Sequence, residues 1–257
     1  MAHRRRRCWL SGVLPRLDNH LPAIIPASMA NTTKRNVMNP IQQLAARLRR
    51  KVGKHVIHET LSRHASQAFT LDLGCGHSPL ARFFPNRIGL DIAPAPGLDV
   101  VGDAHFLPFP DETFALVVCS EVLEHLADPQ TAVSEMARIL KPQGQLLLTT
   151  PFVYPLHEAP HDYQRFTQYG LKRLFSPYFD AITIQPLFSE EQTIAILLQR
   201  IAFQRADRKP LSYFLMAAAH FIYRLPTTNA VRFQGLNRDV TGAFLTAGYF
   251  LQGQKKE

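Results

Sequence analysis

The chain has little with which to build a disulfide framework, a thiolate metal cluster or a membrane span. Its 257 residues hold three cysteines, Cys8, Cys75 and Cys119. The number is odd and the spacing unlike that of metal ligands, which excludes a disulfide scaffold and points to a reducing, cytoplasmic compartment. No uninterrupted apolar run reaches the roughly 18 residues a spanning helix needs. Acid is scarce at one end: twelve of the 29 Lys and Arg fall at or before Lys54 against the single acid Asp18, and the remaining 17 face 19 acids. The formal net charge of +9 therefore belongs to the leader. Basic and aromatic residues are not interleaved as in a nucleic-acid groove, so nucleic acid is not an expected partner.

The leader, residues 1–39, carries Arg4 to Arg7 and Pro15, Pro22 and Pro26 without sustained periodicity. It reads as a disordered basic tail, with a transit peptide or a translation start at Met29 or Met38 as alternatives. The domain proper is expected over 40–257. Its first part, 40–66, is predicted helical, because Ile41, Leu44, Leu48, Val52 and Val56 share one stripe with Arg47, Arg49, Arg50, Lys51 and Lys54 off it. Such a helix caps a sheet edge or, through 41–61, lies on an anionic membrane surface.

From Phe69 onward short apolar runs alternate with helical patterns. Phe69 to Leu73, Ile88 to Ile92, Leu98 to Val101, Ala115 to Cys119 and Gln145 to Thr150 read as strands. Asp128-Pro129 starts a helix with a cap and a first-turn proline. The alternation predicts a parallel, doubly wound sheet with right-handed crossovers. Ala181 to Leu187 and Ala243 to Gln252 are two further strands. Between them, 190–235 reads as a helical insertion whose apolar segments, Glu190 to Arg205 and Leu211 to Leu225, pack into the core or form an acceptor pocket, a dimer face or, through 211–225, a membrane contact.

The turn after the first strand carries Gly74 and Gly76, with Asp72 at the strand's carboxyl end, where open α/β sheets bind ligands. A dinucleotide fingerprint needs a third glycine at position 79, which is Pro79. Proline lacks the N–H that a pyrophosphate takes from a helix start, so a ligand without a pyrophosphate is expected.

Five blocks in order then resemble the class I S-adenosylmethionine-dependent methyltransferases, in particular the type-11 group. Leu71-Asp72-Leu73-Gly74-Cys75-Gly76 is similar to the first motif and Gly89-Leu90-Asp91-Ile92 to the second-strand motif. Gly102-Asp103-Ala104 with Leu107-Pro108-Phe109, then Glu121-Val122-Leu123-Glu124-His125-Leu126, then Leu140-Lys141-Pro142-Gln143-Gly144 complete the series. The resemblance covers roughly 69–150. It departs from the family at Ser78, at Phe114-Ala115 and at Gln143. It implies an α/β fold with a Rossmann-like, doubly wound seven-stranded sheet, mostly parallel with an antiparallel last strand, and helices on both faces. It also implies S-adenosyl-L-methionine as cofactor. Asp72, Gly74, Cys75 and Gly76 would wrap its methionine part, and Asp91 beside Ile92 would bind the ribose. Asp103 and Ala104 would meet the adenine, and Glu121 would line the methionine side. A non-catalytic or regulatory protein that binds the same cofactor is the alternative.

The acceptor is not named by these blocks; a small molecule, lipid or glycan precursor is expected. Methyl transfer to oxygen needs a base, and His125, His157 and Asp162 are the candidates, with Glu158, His161 and Arg165 nearby. His157 and His161 stand four apart, as helical metal ligands do, but Pro160 between them disfavours that helix, so no metal is expected.

Overall fold

A computed structural model of the chain describes residues 39–77, 79–226 and 245–257. The leader up to residue 38, Ser78, the end of the expected insertion and the first residues of the expected last strand lie outside the described residues.

The frame is a seven-stranded sheet. Its strands are β1 (Thr70–Leu73), β2 (Arg87–Asp91), β3 (Val100–Val101), β4 (Phe114–Ser120), β5 (Leu140–Pro151), β6 (Phe179–Pro186) and β7 (Gly248–Lys255), in the order β3-β2-β1-β4-β5-β7-β6. β7 runs antiparallel to both β5 and β6, and the pairs β3-β2-β1-β4-β5 are parallel. The expected fold class is therefore observed, including the antiparallel last strand. The chain steps from β1 to β3 in one direction and then restarts at β4 on the other side of β1, which makes the β1/β4 junction the topological switch point where such sheets bind ligands.

Both faces are covered, and the apolar runs show why. In β4, Val117 and Cys119 face one core while Leu116 and Val118 face the other; in β5, Leu146 and Leu148 oppose Leu147. A strand buried on both sides has no polar face to show, so it reads as a continuous apolar run. On one face α3 (Pro129–Ile139) and α4 (Gln168–Phe175) supply Val133, Met136, Leu171 and Phe175. On the other, α2 (Lys54–Ser62) and α5 (Glu190–Gln204) supply Leu61 and Ile196, with Leu80 and Phe84 from a 3₁₀ turn at Pro79–Arg82 and the residues after it.

The helix starts follow their caps. Asp128 accepts from the Gln130 and Thr131 N–H groups ahead of Pro129, and Asn39 makes a reciprocal box with Gln42 ahead of Pro40. One expectation needs correction. The stripe through 40–66 is not one helix but α1 (Pro40–Leu48) and α2, broken at Gly53, whose φ of +86° is left-handed. That backbone conformation favours glycine there, where a Cβ would also stand 2.9 Å from the end of the Ile196 side chain of α5. The backbone freed by the break is taken up by the buried Gln199 of α5, which accepts from Val52 N–H and donates to the carbonyls of Leu48 and Arg50. α6 (Lys209–Ile222) follows α5, and its His220 ring bonds the same Leu48 carbonyl.

Candidate active site

The carboxyl ends of β1, β2, β4 and β5 open on one edge, and two clusters form there. The first surrounds the glycine turn. Gly74 and Cys75 both donate from their backbone to the Leu90 carbonyl of β2, at 2.7 and 3.1 Å, which ties the turn to its neighbour strand. Gly74 has φ +69°, and a Cβ on it would lie 2.2 Å from Val122 Cγ2. Only glycine allows the segment after β4 to close on the turn. Gly76 also has positive φ, yet a Cβ there would meet nothing within 4 Å, so its backbone faces open space.

Asp91 holds this opening together. Its Oδ2 accepts from Gly76 N–H at 2.9 Å and its Oδ1 from Ala93 N–H at 3.0 Å. Each carboxylate oxygen keeps a lone pair for another donor. Ile92 beside it is 72% exposed. Asp72, in contrast, is buried beneath the turn with Arg87 Nη1 at 3.7 Å. Burial pushes the Cys75 thiol up, with the Asp72 charge acting the same way, and burial does so more strongly for Cys119. Neither is a thiolate nucleophile.

Next along the edge, Asp103 accepts from His105 twice, from its backbone N–H at 2.9 Å and from Nδ1 at 2.6 Å. The backbone bond holds its carboxyl below the usual range. His105 Nε2 in turn accepts from Asp128 N–H, so its proton sits on Nδ1. Ala104 is buried beside this pair. The loop that follows is clamped from α3: Arg138 donates to the carbonyls of Leu107 and Phe109 and to Asp111 and Glu135, and Glu135 accepts from Leu107 N–H.

The second cluster joins the residues after β4 to the loop after β5. Glu121, which has φ +57°, donates from its backbone to Thr149. A 3₁₀ turn, Leu123–His125, then places Glu124 and His125 against that loop. Glu124 is fully buried, and its Oε1 has no hydrogen-bond partner. His125 Nε2 and His157 Nε2 stand 3.6 and 3.7 Å from this oxygen. His125 Nδ1 bonds the His161 carbonyl at 2.7 Å. Asp162 accepts from both the backbone N–H and Nδ1 of His157, at 2.9 and 3.1 Å. Both terminal guanidinium nitrogens of Arg165, Nη1 and Nη2, donate to Asp162 and hold its carboxyl well below the usual carboxylate range. Burial pushes the carboxyls of Glu121 and Glu124 up, and for Glu124 the Glu121 charge adds to it.

His157 also borders a cleft of about 230 Å³ with Tyr154, Leu156, Arg200 and Phe203. The Arg200 guanidinium lies over the Tyr154 ring, 4.9 Å from its centre. α5 thus provides one wall of the cleft and the loop after β5 the other.

The structure brings His125, His157 and Asp162 into one cluster. It does not bring His157 and His161 together as a pair of ring ligands, because the His161 ring bonds Tyr163 instead. Sequence reasoning overlooked Glu124, His105 and Arg200. Glu124 stands directly before His125 in a block already singled out, and an acid adjoining that histidine was the available signal. Arg200 carried none, since its place beside Tyr154 depends on packing between α5 and the loop after β5.

The family described as "Methyltransferase domain" matches residues 71–148. An uncharacterized methyltransferase, YcgJ, of Bacillus subtilis is 32% identical over 117 residues, 39% of this chain and 44% of that protein. The chain thus spans less than half the length of this relative. A 2-phytyl-1,4-naphtoquinone methyltransferase of Thermosynechococcus vestitus is 28% identical over 181 residues, 58% of this chain and 78% of that protein. Among solved structures, an S-adenosylmethionine-dependent methyltransferase of Thermotoga maritima, described as a possible histamine N-methyltransferase, aligns with TM-score 0.53 at 16% identity. That alignment covers 84% of this chain and 96% of the other and shows the shared fold.

Proposed function

We propose, from the premise that residues 71–148 belong to the methyltransferase-domain family, that the chain transfers a methyl group from S-adenosyl-L-methionine to a hydroxyl oxygen of a small-molecule acceptor. One observation carries this reading: the Asp91 carboxylate binds the Gly76 N–H, so the open glycine turn and an acceptor for ribose hydroxyls form one rigid cradle. The residues fit the cofactor. Gly76 offers bare backbone for close approach, Asp91 keeps two lone pairs for two hydroxyls, and Asp103, paired on one oxygen with His105, keeps the other for an adenine amino group. Gly74 and Cys75 shape the turn, Asp72 supports it from below, and Ala104 and Ile92 flank it.

The cofactor supplies an electrophilic methyl on a sulfonium. The protein's own task is to align an acceptor oxygen in line with it, keep water out and remove one proton. The set Glu124, His125 and His157 is our acceptor-activating group, because His157 belongs both to the cleft and to the cluster that Val122 joins to the glycine turn. Asp162 is a positioning residue: a carboxylate held by Arg165 fixes the His157 tautomer rather than meeting the acceptor. Tyr154, Leu156 and Phe203 favour an acceptor with an apolar or ring-shaped body, which a quinone precursor has, and Arg200 favours one with an oxygen substituent.

Calorimetry with S-adenosylmethionine and its demethylated product tests the cofactor half. Micromolar binding that Asp91→Ala removes is expected, and no binding by the native chain overturns the reading. Binding without methyl transfer to any extract favours the non-catalytic alternative. Two free, buried cysteines fit a cytoplasmic compartment. No helix among the described residues is long and apolar enough to cross a membrane. The exposed Ile41 and Leu44 of α1 and Phe214 and Phe221 of α6 support a peripheral lipid contact. In a liposome sedimentation assay, Phe214→Ser with Phe221→Ser should reduce binding; equal binding removes the contact.

A further inference from the structure

The geometry points to a divalent-cation site made by Glu124 Oε1, His125 Nε2 and His157 Nε2, and we propose that it takes a transition metal ion of the Zn²⁺ and Mn²⁺ class. The inference deepens the reading of this cluster as the acceptor-activating group and rests on it for its role, though not for its chemistry.

The three atoms lie within 4.8 Å of one another. The carboxylate oxygen is 3.6 Å from one imidazole nitrogen and 3.7 Å from the other. Those separations are too long for hydrogen bonds. They are close to the spacing of ligands around one ion: with bonds of about 2.0–2.2 Å, neighbouring donor atoms stand about 3.0–3.5 Å apart. The two carboxylate–imidazole separations need a contraction of only a few tenths of an ångström, and the imidazole pair lies within the same 4.8 Å limit.

The tautomers are already chosen. Asp162, held ionised by Arg165, can only accept, so His157 carries its proton on Nδ1. The His161 carbonyl can only accept, so His125 does the same. Both rings therefore turn their Nε2 atoms, the ones free to bind an ion, towards a buried Glu124 oxygen that has no hydrogen-bond donor. Three potential ligand atoms thus converge with no hydrogen bond between them, and an ion at that point would meet all three. The outer partners also match what ligating imidazoles use, a carboxylate behind one ring and a backbone carbonyl behind the other. Glu158 Oε2, 3.8 Å from His125 Nε2 at the exposed rim, is a fourth donor within reach.

Two imidazoles with one carboxylate select a borderline transition ion over Mg²⁺ or Ca²⁺, which prefer all-oxygen shells. Three protein ligands leave coordination positions open. His157 lines the cleft between the loop after β5 and α5, so those positions are available to an oxygen of the acceptor.

The test uses the full chain, purified without chelator and analysed for bound metal, then stripped and titrated with Co²⁺ while its visible spectrum is recorded. One equivalent of metal and a saturable band from imidazole-bound Co²⁺ are expected. His125→Ala and His157→Ala should abolish the band, and Asp162→Asn should weaken Co²⁺ affinity about 10–100-fold by releasing the His157 ring. Circular dichroism checks that each variant is folded; if the alanine variants are not, Co²⁺-shifted histidine proton resonances of the native chain locate the ion. A native chain that gives no band, and whose melting temperature does not move with Zn²⁺, Mn²⁺ or Co²⁺, overturns the inference. Calorimetry with S-adenosylmethionine on the stripped protein separates the two failures. Cofactor binding without metal binding removes only the cation site, whereas loss of cofactor binding removes the functional reading.

Discussion

The two halves of the candidate site are built by different means. The glycine turn with Asp91 is a backbone structure: its contacts are N–H groups of Gly74, Cys75, Gly76 and Ala93 reaching the Leu90 carbonyl and one carboxylate. The cluster at Glu124 is a side-chain structure, in which residues from the turn after β4 meet His157 and Asp162 from the loop after β5. Backbone cradles tolerate change in the surrounding side chains but not in their glycines. Side-chain clusters lose their geometry with any one member. Under the proposed function the cradle serves the cofactor while the cluster and its cleft meet the acceptor.

The sharpest way to break this comparison is to damage one half and read the other. His157→Ala should lower turnover about 10²–10⁴-fold while leaving cofactor affinity within a factor of about two; a matching loss of affinity would merge the halves. Asp91→Ala should raise the cofactor dissociation constant by about two orders of magnitude, since hydrogen bonds to a charged group contribute about 1.5–3 kcal/mol each. Calorimetry reads this directly, and unchanged affinity would remove Asp91 from the site. Gly74→Ala should cost about 1–3 kcal/mol of stability through its left-handed backbone and the collision with Val122, visible in a denaturant melt.

The smallest expected effect lies in the loop between the halves and α3. Arg138→Met removes the clamp on Leu107 and Phe109 and should lower the melting temperature by about 2–4 °C for each kcal/mol lost. The Arg138 hydrogen bond holds the Glu135 carboxyl below its usual range. A depressed folded value means the stabilisation is present above the unfolded value of about 4.3 and is lost as pH falls through the folded one. The gap between native and Arg138→Met melting temperatures should therefore narrow in acid to the part due to the Leu107 and Phe109 carbonyl bonds, and a gap of unchanged size would contradict the Glu135 pairing.

How much of this was legible follows the same division. The sheet was readable because doubly buried strands such as Ala115 to Cys119 are unbroken apolar runs, and α3 because Asp128-Pro129 is a local start signal. The glycine turn was readable because its functional groups are contiguous. The break between α1 and α2 was not, since the apolar stripe continues through it and the left-handed backbone at Gly53 shows only in the folded chain. In the cluster, His125 and His157 were visible as residue types, but their convergence on Glu124 was not. His157 and His161, close in sequence, drew attention as the pair, whereas His161 contributes its backbone carbonyl to His125.

The central claim is that a cofactor cradle delivers a methyl group to an acceptor held beside the Glu124 cluster. Transfer of labelled methyl from S-adenosylmethionine into a fractionated cell extract tests it most directly, comparing the native chain with His157→Ala at equal cofactor occupancy. The account predicts label in the small-molecule fraction with the native chain and little with the variant. Label in no fraction despite bound cofactor, or equal labelling by both proteins, would contradict it.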